Sequence, residues 1–247
     1  MRRFLRPMTS LRSLTMFGIS DQGYGWPNYK PDPDSWPFLE SIHFSDVESV
    51  GAFIPGRPIR RITVWELGSN SPKLRSFVTE PVESLRTFKM LSWESEQSTQ
   101  GANALAKSLS DLYATFPRIS TLLIGYWYAP PTQPDDTGFL PPMFTKTTFR
   151  ALEDFEELET LICPIWAMDG ESETETYSAE PLLSNLHTHC PSLREVFLRR
   201  DIFTPPYGPE DYENWVWVVG EDCSTESTWE EKEWDSQEAL ADHVRSL

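Results

Sequence analysis

The chain has 247 residues, a hydrophobic share of 39% and a formal net charge of -17. That length suits one long domain or one repeat array, and an apolar share rich in Trp, Phe and Tyr is enough for a core and too much for a disordered chain. The charge is lopsided: 12 basic and 9 acidic residues up to Met90 give +3, and 9 basic and 29 acidic residues from Leu91 onward give -20. Such an acidic chain is a poor candidate for wrapping phosphate backbones, so no nucleic-acid partner is expected.

The beginning, Met1-Arg2-Arg3-Phe4-Leu5-Arg6-Pro7, carries charge without an apolar h-region, which argues against a secretory signal. No apolar run approaches the roughly 18 residues that a membrane helix needs. From there a short motif, L-x-x-L with aromatic and β-branched substitutes, recurs along the chain. It stands at Leu11/Leu14, Leu39/Ile42, Ile59/Ile62, Leu85/Phe88, Ile119/Leu122, Leu158/Leu161 and Leu193/Val196. Successive starts are 28, 20, 26, 34, 39 and 35 residues apart. An apolar residue follows two places on, at Met16, Phe44, Val64, Met90, Ile124, Cys163 and Leu198. That is the alternation of a strand with one buried face. Pro stands two residues before the motif in Trp36-Pro37-Phe38-Leu39, Phe116-Pro117-Arg118-Ile119 and Cys190-Pro191-Ser192-Leu193. There it can end a helix and start an extended segment. Recurrence at periods of 20–50 residues is the mark of a repeat architecture.

Between the motifs, Asp21 to Ser35 reads as an irregular loop, rich in Gly and Pro. The first helix long enough to show a stripe covers roughly Gln100 to Thr115. Leu105, Leu109, Leu112, Tyr113 and Phe116 share one face there. Tyr128 to Pro142 reads as a long surface loop. A helix is expected from Thr147 to Phe155 and another from Ala179 to His189, with Leu182, Leu183 and Leu186 as its apolar side. Gly170 to Thr176 between them reads as solvated. Asn214-Trp215-Val216-Trp217-Val218-Val219 is strongly β-forming. A last helix is expected at about Ser236 to Ser246. The divisions are therefore residues 1–220, an irregular array of about seven repeats, and residues 221–247, an acidic C-terminal cap.

Ser10-Leu11-Arg12-Ser13-Leu14-Thr15-Met16, Phe116-Pro117-Arg118-Ile119-Ser120-Thr121-Leu122 and Cys190-Pro191-Ser192-Leu193-Arg194-Glu195-Val196-Phe197-Leu198 carry a resemblance. So does the Trp-rich stretch Trp215 to Val219. From about Leu11 to Val219 the chain resembles the leucine-rich-repeat region of fungal, basidiomycete-like F-box-type proteins. The resemblance implies an α/β solenoid, with a curved parallel sheet inside and helices and loops outside. It also implies that the repeats hold a protein to be ubiquitylated. In that family an N-terminal F-box of roughly 40 residues binds the ligase adaptor. Only ten residues precede the first repeat here, and none reads as an F-box. An adaptor contact is thus expected only if an F-box lies upstream.

Other chemistry has weaker signals. His187-Thr188-His189-Cys190 is dense in metal-capable side chains, but zinc sites on helices want i, i+4 spacing, and no C-x-x-C or H-x-x-x-H is present. A helix end with His near its C-terminus is the simpler reading. Glu156/Glu157, Glu171/Glu173/Glu175 and Glu230/Glu231/Glu233 sit in polar runs, where solvation opposes the shifted pKa that acid/base work requires. No G-x-S-x-G, Walker or G-x-G-x-x-G pattern occurs. Cys163, Cys190 and Cys223 are scattered and odd in number, which argues for a reducing cytoplasmic or nuclear compartment.

The expectation is a non-enzymatic, monomeric protein-binding module with no catalytic residues, cofactor or metal. Its partner is expected on the sheet face. The residues for partner contact are Arg61, Trp65, Trp93, Tyr126, Trp127, Trp166 and Arg199, on or just past successive strands. Trp, Tyr and Arg are the residues enriched in interface hot spots. Arg57, Arg60 and Arg61 form a basic cluster suited to an acidic partner segment, since Arg grips carboxylates bidentately. The competing readings are a hydrolase using clustered carboxylates, and a truncated fragment without independent function.

Overall fold

The computed structural model describes residues 9–16, 35–44, 47–66, 78, 80–94, 98–128, 144–165, 180–201, 212–219 and 229–231. Within these, only the backbone is described for 47–49, 65–66, 91–94, 98–104, 126–128, 164–165, 180–181, 198–201, 212–219 and 229–231.

Each L-x-x-L motif enters a strand at its second apolar residue. The strands are β1 (Ser13–Met16), β2 (Ser41–Phe44), β3 (Arg61–Glu66), β4 (Thr87–Glu94), β5 (Thr121–Tyr128), β6 (Thr160–Ile165) and β7 (Glu195–Asp201). They lie side by side in chain order and all pair in parallel. The register is one continuous row: Leu14, Ile42, Ile62, Phe88, Leu122, Leu161 and Val196 are successive partners. Exposure along it falls from 9% at Leu14 to 0% at Leu122. A one-residue slip would turn this whole row away from the core, so the apolar pattern fixes the register. The residues two places on, from Phe44 to Cys163, form a second buried row. The first motif residues, Leu39, Ile59, Leu85, Ile119, Leu158 and Leu193, are buried just before the strands. The class is α/β.

The approach to each strand repeats the same backbone bonding. Arg12 O accepts from Glu40 N and Ser41 N, and Glu40 O from Arg60 N and Arg61 N. Arg60 O accepts from Arg86 N and Thr87 N, and Arg86 O from Ser120 N and Thr121 N. Ser120 O then accepts from Glu159 N and Thr160 N, and Glu159 O from Arg194 N and Glu195 N. Side chains reinforce it: Ser84 Oγ donates to Ile59 O, Ser120 Oγ to Arg86 O and Ser192 Oγ to Leu158 O, and the Arg12 guanidinium to the Glu40 carboxylate. The Pro residues find their reason one step earlier. Leu39 N bonds Trp36 O and Leu193 N bonds Cys190 O, closing four-residue turns with Pro37 and Pro191 in second place. Proline's fixed φ suits that position. Between β2 and β3 the turn Ile54-Pro55-Gly56-Arg57 is closed by Arg57 N to Ile54 O at 3.2 Å. Gly56 has φ 74°, the left-handed value that the third place of a type II turn requires.

Helices α1 (Val47–Phe53), α2 (Ser98–Thr115), α3 (Lys146–Glu153) and α4 (Glu180–His189) fill returns between strands. Leu105, Leu109, Leu112 and Phe116 of the α2 stripe are buried with the strand rows in one core, as are Phe149 and Leu152 of α3 and Leu182, Leu183 and Leu186 of α4. Thr145 caps α3, its Oγ1 accepting from Thr148 N at 3.3 Å. The return to β3 has room for only the seven residues of α1. The predicted helix at 236–246, the predicted loop at 128–142 except Tyr128, which instead ends β5, and most of the Asp21 to Ser35 loop fall outside the described residues.

The expected all-parallel sheet ends at β7. The Trp-rich strand β8 (Tyr212–Val219) pairs with β7 in antiparallel, and β9 (Trp229–Glu231) pairs with β8 in antiparallel. Only residues 202–211 connect β7 to β8. A parallel crossover needs about a dozen residues or more, so this connection can only fold the chain back. Among the described residues no helix is long and apolar enough to cross a membrane.

Candidate protein-binding face

All four helices contribute to the core on one side of the sheet. Alternation along the strands therefore directs every second residue to the other side. Two rows of side chains stand there on the parallel strands. The first runs Ser13, Ser41, Arg61, Thr87, Thr121, Thr160 and Glu195. The second runs Thr15, His43, Thr63, Lys89, Leu123, Ile162 and Phe197. Thr160 Oγ1 donates to the carboxylate of Glu195 at 3.5 Å.

The rows change character across the sheet. Over β1 to β4 the second row is polar and ranges from exposed Thr15 to half-buried Lys89. Over β6 and β7 it is apolar, and Ile162 and Phe197 are buried at 5% and 3% exposure while standing outside the core cluster. The positive charge gathers at the polar end. Arg61 is exposed. Lys89, one strand over, has its pKa lowered by burial and then by the Arg61 guanidinium. Burial likewise holds His43 below the ordinary imidazole value of 6.5, so its ring is neutral at pH 7.

Of the residues expected to meet a partner, Arg61 opens β3 and Trp65 lies further along the same strand. Trp93 and Trp127 are register partners on β4 and β5, whereas Tyr126, opposite Ser92, continues the alternation of buried Leu122 and Ile124, so strand alternation does not place it on the outward face with them. Arg199 lies on β7 between Pro164 of β6 and Asn214 of β8. Trp166 follows the end of β6 and falls outside the described residues. Six of the seven are therefore strand residues of one sheet, four of them on β3, β4 and β5 beyond the buried rows.

The basic cluster at Arg57, Arg60 and Arg61 does not act as a unit. Arg60 and Arg61 are exposed, but Arg57 is buried, at 6% exposure. Its Nε donates to Ser35 O at 3.0 Å, and one terminal nitrogen donates to Phe53 O at 3.1 Å and Pro55 O at 2.9 Å. Its guanidinium also lies 5.8 Å from the ring centroid of Trp36. Trp36 stacks on Phe53 at 5.7 Å and has φ 58°, a left-handed conformation that a residue with a Cβ adopts at a cost. Arg57 thus ties the end of α1 to the approach to β2, with Nε and one terminal nitrogen donating to backbone carbonyls. The signal for this was Pro55-Gly56 immediately before it, which places it on a tight turn.

The His-rich helix end is similarly occupied. The His189 ring stacks on Phe149 with centroids 5.4 Å apart, and its Nδ1 meets the Glu153 carboxylate, joining α4 to α3. Among the described residues no three His, Cys, Asp or Glu side chains stand close enough to hold a metal ion. Cys163 is a core residue at 1% exposure, and burial raises its thiol pKa. Burial, helped by the charge of Glu153, pushes Cys190 up to about 12.

No protein-family model matches the chain, and no curated protein or solved structure matches it.

Proposed function

We propose that the chain is a leucine-rich-repeat-type solenoid that binds a protein on the sheet face opposite its helices, without catalysis. The observation that supports this best is the strand approach repeated at six consecutive junctions. Each repeat passes its register to the next through one carbonyl. Equivalent side chains thereby line up in straight rows over seven strands, and the outward rows form one broad surface. Stacked repeats that touch only their neighbours are built to present such surfaces. In a longer protein with an F-box upstream, this face would be the substrate-recognising part of an F-box-type ubiquitin ligase subunit.

The test is site-specific photocrosslinking in cells. A photoreactive residue at Thr63, on the outward face, should capture a discrete protein partner. The same residue at exposed Lys107, on α2, should not. Crosslinks from Lys107 alone, or from neither position, would remove the reading.

A further inference from the structure

The first two outward positions of β1 to β6 are twelve side chains, from Ser13 to Ile162, and none is a carboxylate. The chain as a whole has 38 acidic and 21 basic residues. These twelve positions lack a carboxylate in an acidic molecule, and the first carboxylate of the two rows is Glu195 at the far end, on β7. The charges at these twelve positions are Arg61 and Lys89, and Ser41, Thr63 and Thr87 surround them in the register. Adjacent strands are about 4.8 Å apart and a two-residue step along a strand is about 6.6 Å. The Cα atoms of Arg61 and Lys89 are then roughly 8 Å apart, and both long side chains can reach one anionic group between them. Two like charges held this close, one of them partly desolvated, each lose stability from the other.

We propose that Arg61 and Lys89, with the hydroxyls around them, bind an Asp/Glu-rich peptide segment of the partner protein. The proposal rests on the reading of this face as the protein-binding surface, and it names the partner's chemistry there. Charge complementarity selects the occupant. The exposed end of the face is cationic, and its apolar end at Ile162 and Phe197 is already buried. The peptide crosses β3 and β4 over the β1 to β4 half, giving its carboxylates to the Arg61 fork and the Lys89 ammonium.

A fluorescein-labelled oligoglutamate peptide, followed by anisotropy with the full chain, tests this. Binding should weaken as salt is raised. Arg61→Glu and Lys89→Glu should each weaken it by about tenfold or more, the loss of one charge-assisted contact. Arg61→Ala, a milder change at an exposed position, should weaken it while leaving the melting temperature unchanged. Leu123→Glu places a carboxylate across the register from Lys89 and should compete with the peptide from within the chain. Arg118→Glu controls for net charge, since Arg118 stands in the turn before β5, outside the outward rows, and pairs with Glu157. An equal loss in Arg118→Glu would overturn the proposal. So would an unbound probe, which is also the outcome if the chain's own acidic half or a second copy fills the strip. A partner crosslinked at Thr63 with no oligoglutamate binding would leave the protein-binding reading standing and remove this one.

Discussion

Replacing Leu122 with aspartate, and Leu123 with aspartate in parallel, puts the same new group one residue apart on the same strand. Leu122 is 0% exposed and sits in the register between Phe88 and Leu161, both also 0% exposed. Truncating such a leucine to alanine costs about 2–5 kcal/mol, the sum of lost burial and the cavity left behind. Aspartate loses the same contacts and adds a carboxyl without a partner in the core. It must stay protonated there or be desolvated as a charge. The expected cost of Leu122→Asp is therefore above about 4 kcal/mol, a large part of the 5–15 kcal/mol of a typical domain. Leu123 is half-buried on the other side of the sheet and faces Lys89 across the register. A carboxylate at 123 gains a cross-strand partner, which offsets aspartate's poor strand propensity, so its cost should be about 1 kcal/mol or less. Urea unfolding followed by circular dichroism measures both from the transition midpoints. Equal losses at the two positions would refute the two-faced strand, and with it the continuous core row.

Arg57→Lys keeps the charge but not the fork, leaving carbonyls at Ser35, Phe53 and Pro55 short of donors, and should cost about 2–4 kcal/mol in urea unfolding. Thr145→Ala removes the cap of α3 and should cost about 1 kcal/mol by the same measurement. Cys163 and Cys190 should resist iodoacetamide at pH 8 in the native protein and react once it is unfolded, read by mass spectrometry of each cysteine. Because the folded thiol of Cys190 is raised to about 12 from 9.0, its contribution to stability is complete below pH 9 and is lost as pH climbs towards 12, so unfolding midpoints should fall over that window. Lys89→Met removes an ammonium that its surroundings disfavour, and should leave the melting temperature equal or higher while weakening oligoglutamate.

The buried rows were legible in the sequence because their cause is local: an apolar residue every second place, and a proline that starts each turn. The apolar spacing alone places Leu122 and Phe88 in one row. The helices at 98–115 and 146–153 were legible from their stripes, with ends shifted by one or two residues where capping decides them. The antiparallel β8 was not, because a strand's direction depends on the length of its connection rather than on its own composition. Arg57 was misread because its partners are carbonyls of Ser35, Phe53 and Pro55, and backbone acceptors leave no trace in residue type. That the first two outward positions of β1 to β6 hold no carboxylate shows only after the register aligns positions about 20 to 40 residues apart in the chain.

The strand junctions have a consequence for how the chain tolerates change. At every junction from Arg12 through Glu40, Arg60, Arg86, Ser120 and Glu159 to Arg194, one main-chain carbonyl accepts from two main-chain N–H groups. Motif starts 20 to 39 residues apart are joined by the same pair of bonds. Alignment of the strands is therefore indifferent to how far the chain wanders before it returns, while the apolar rows fix which face each strand turns inward. Residues gained or lost in a return change the outline of the back and leave the front in step. Selection can then lengthen, shorten or rewrite the loops one at a time, and can recolour the outward rows, without renegotiating the frame that carries them.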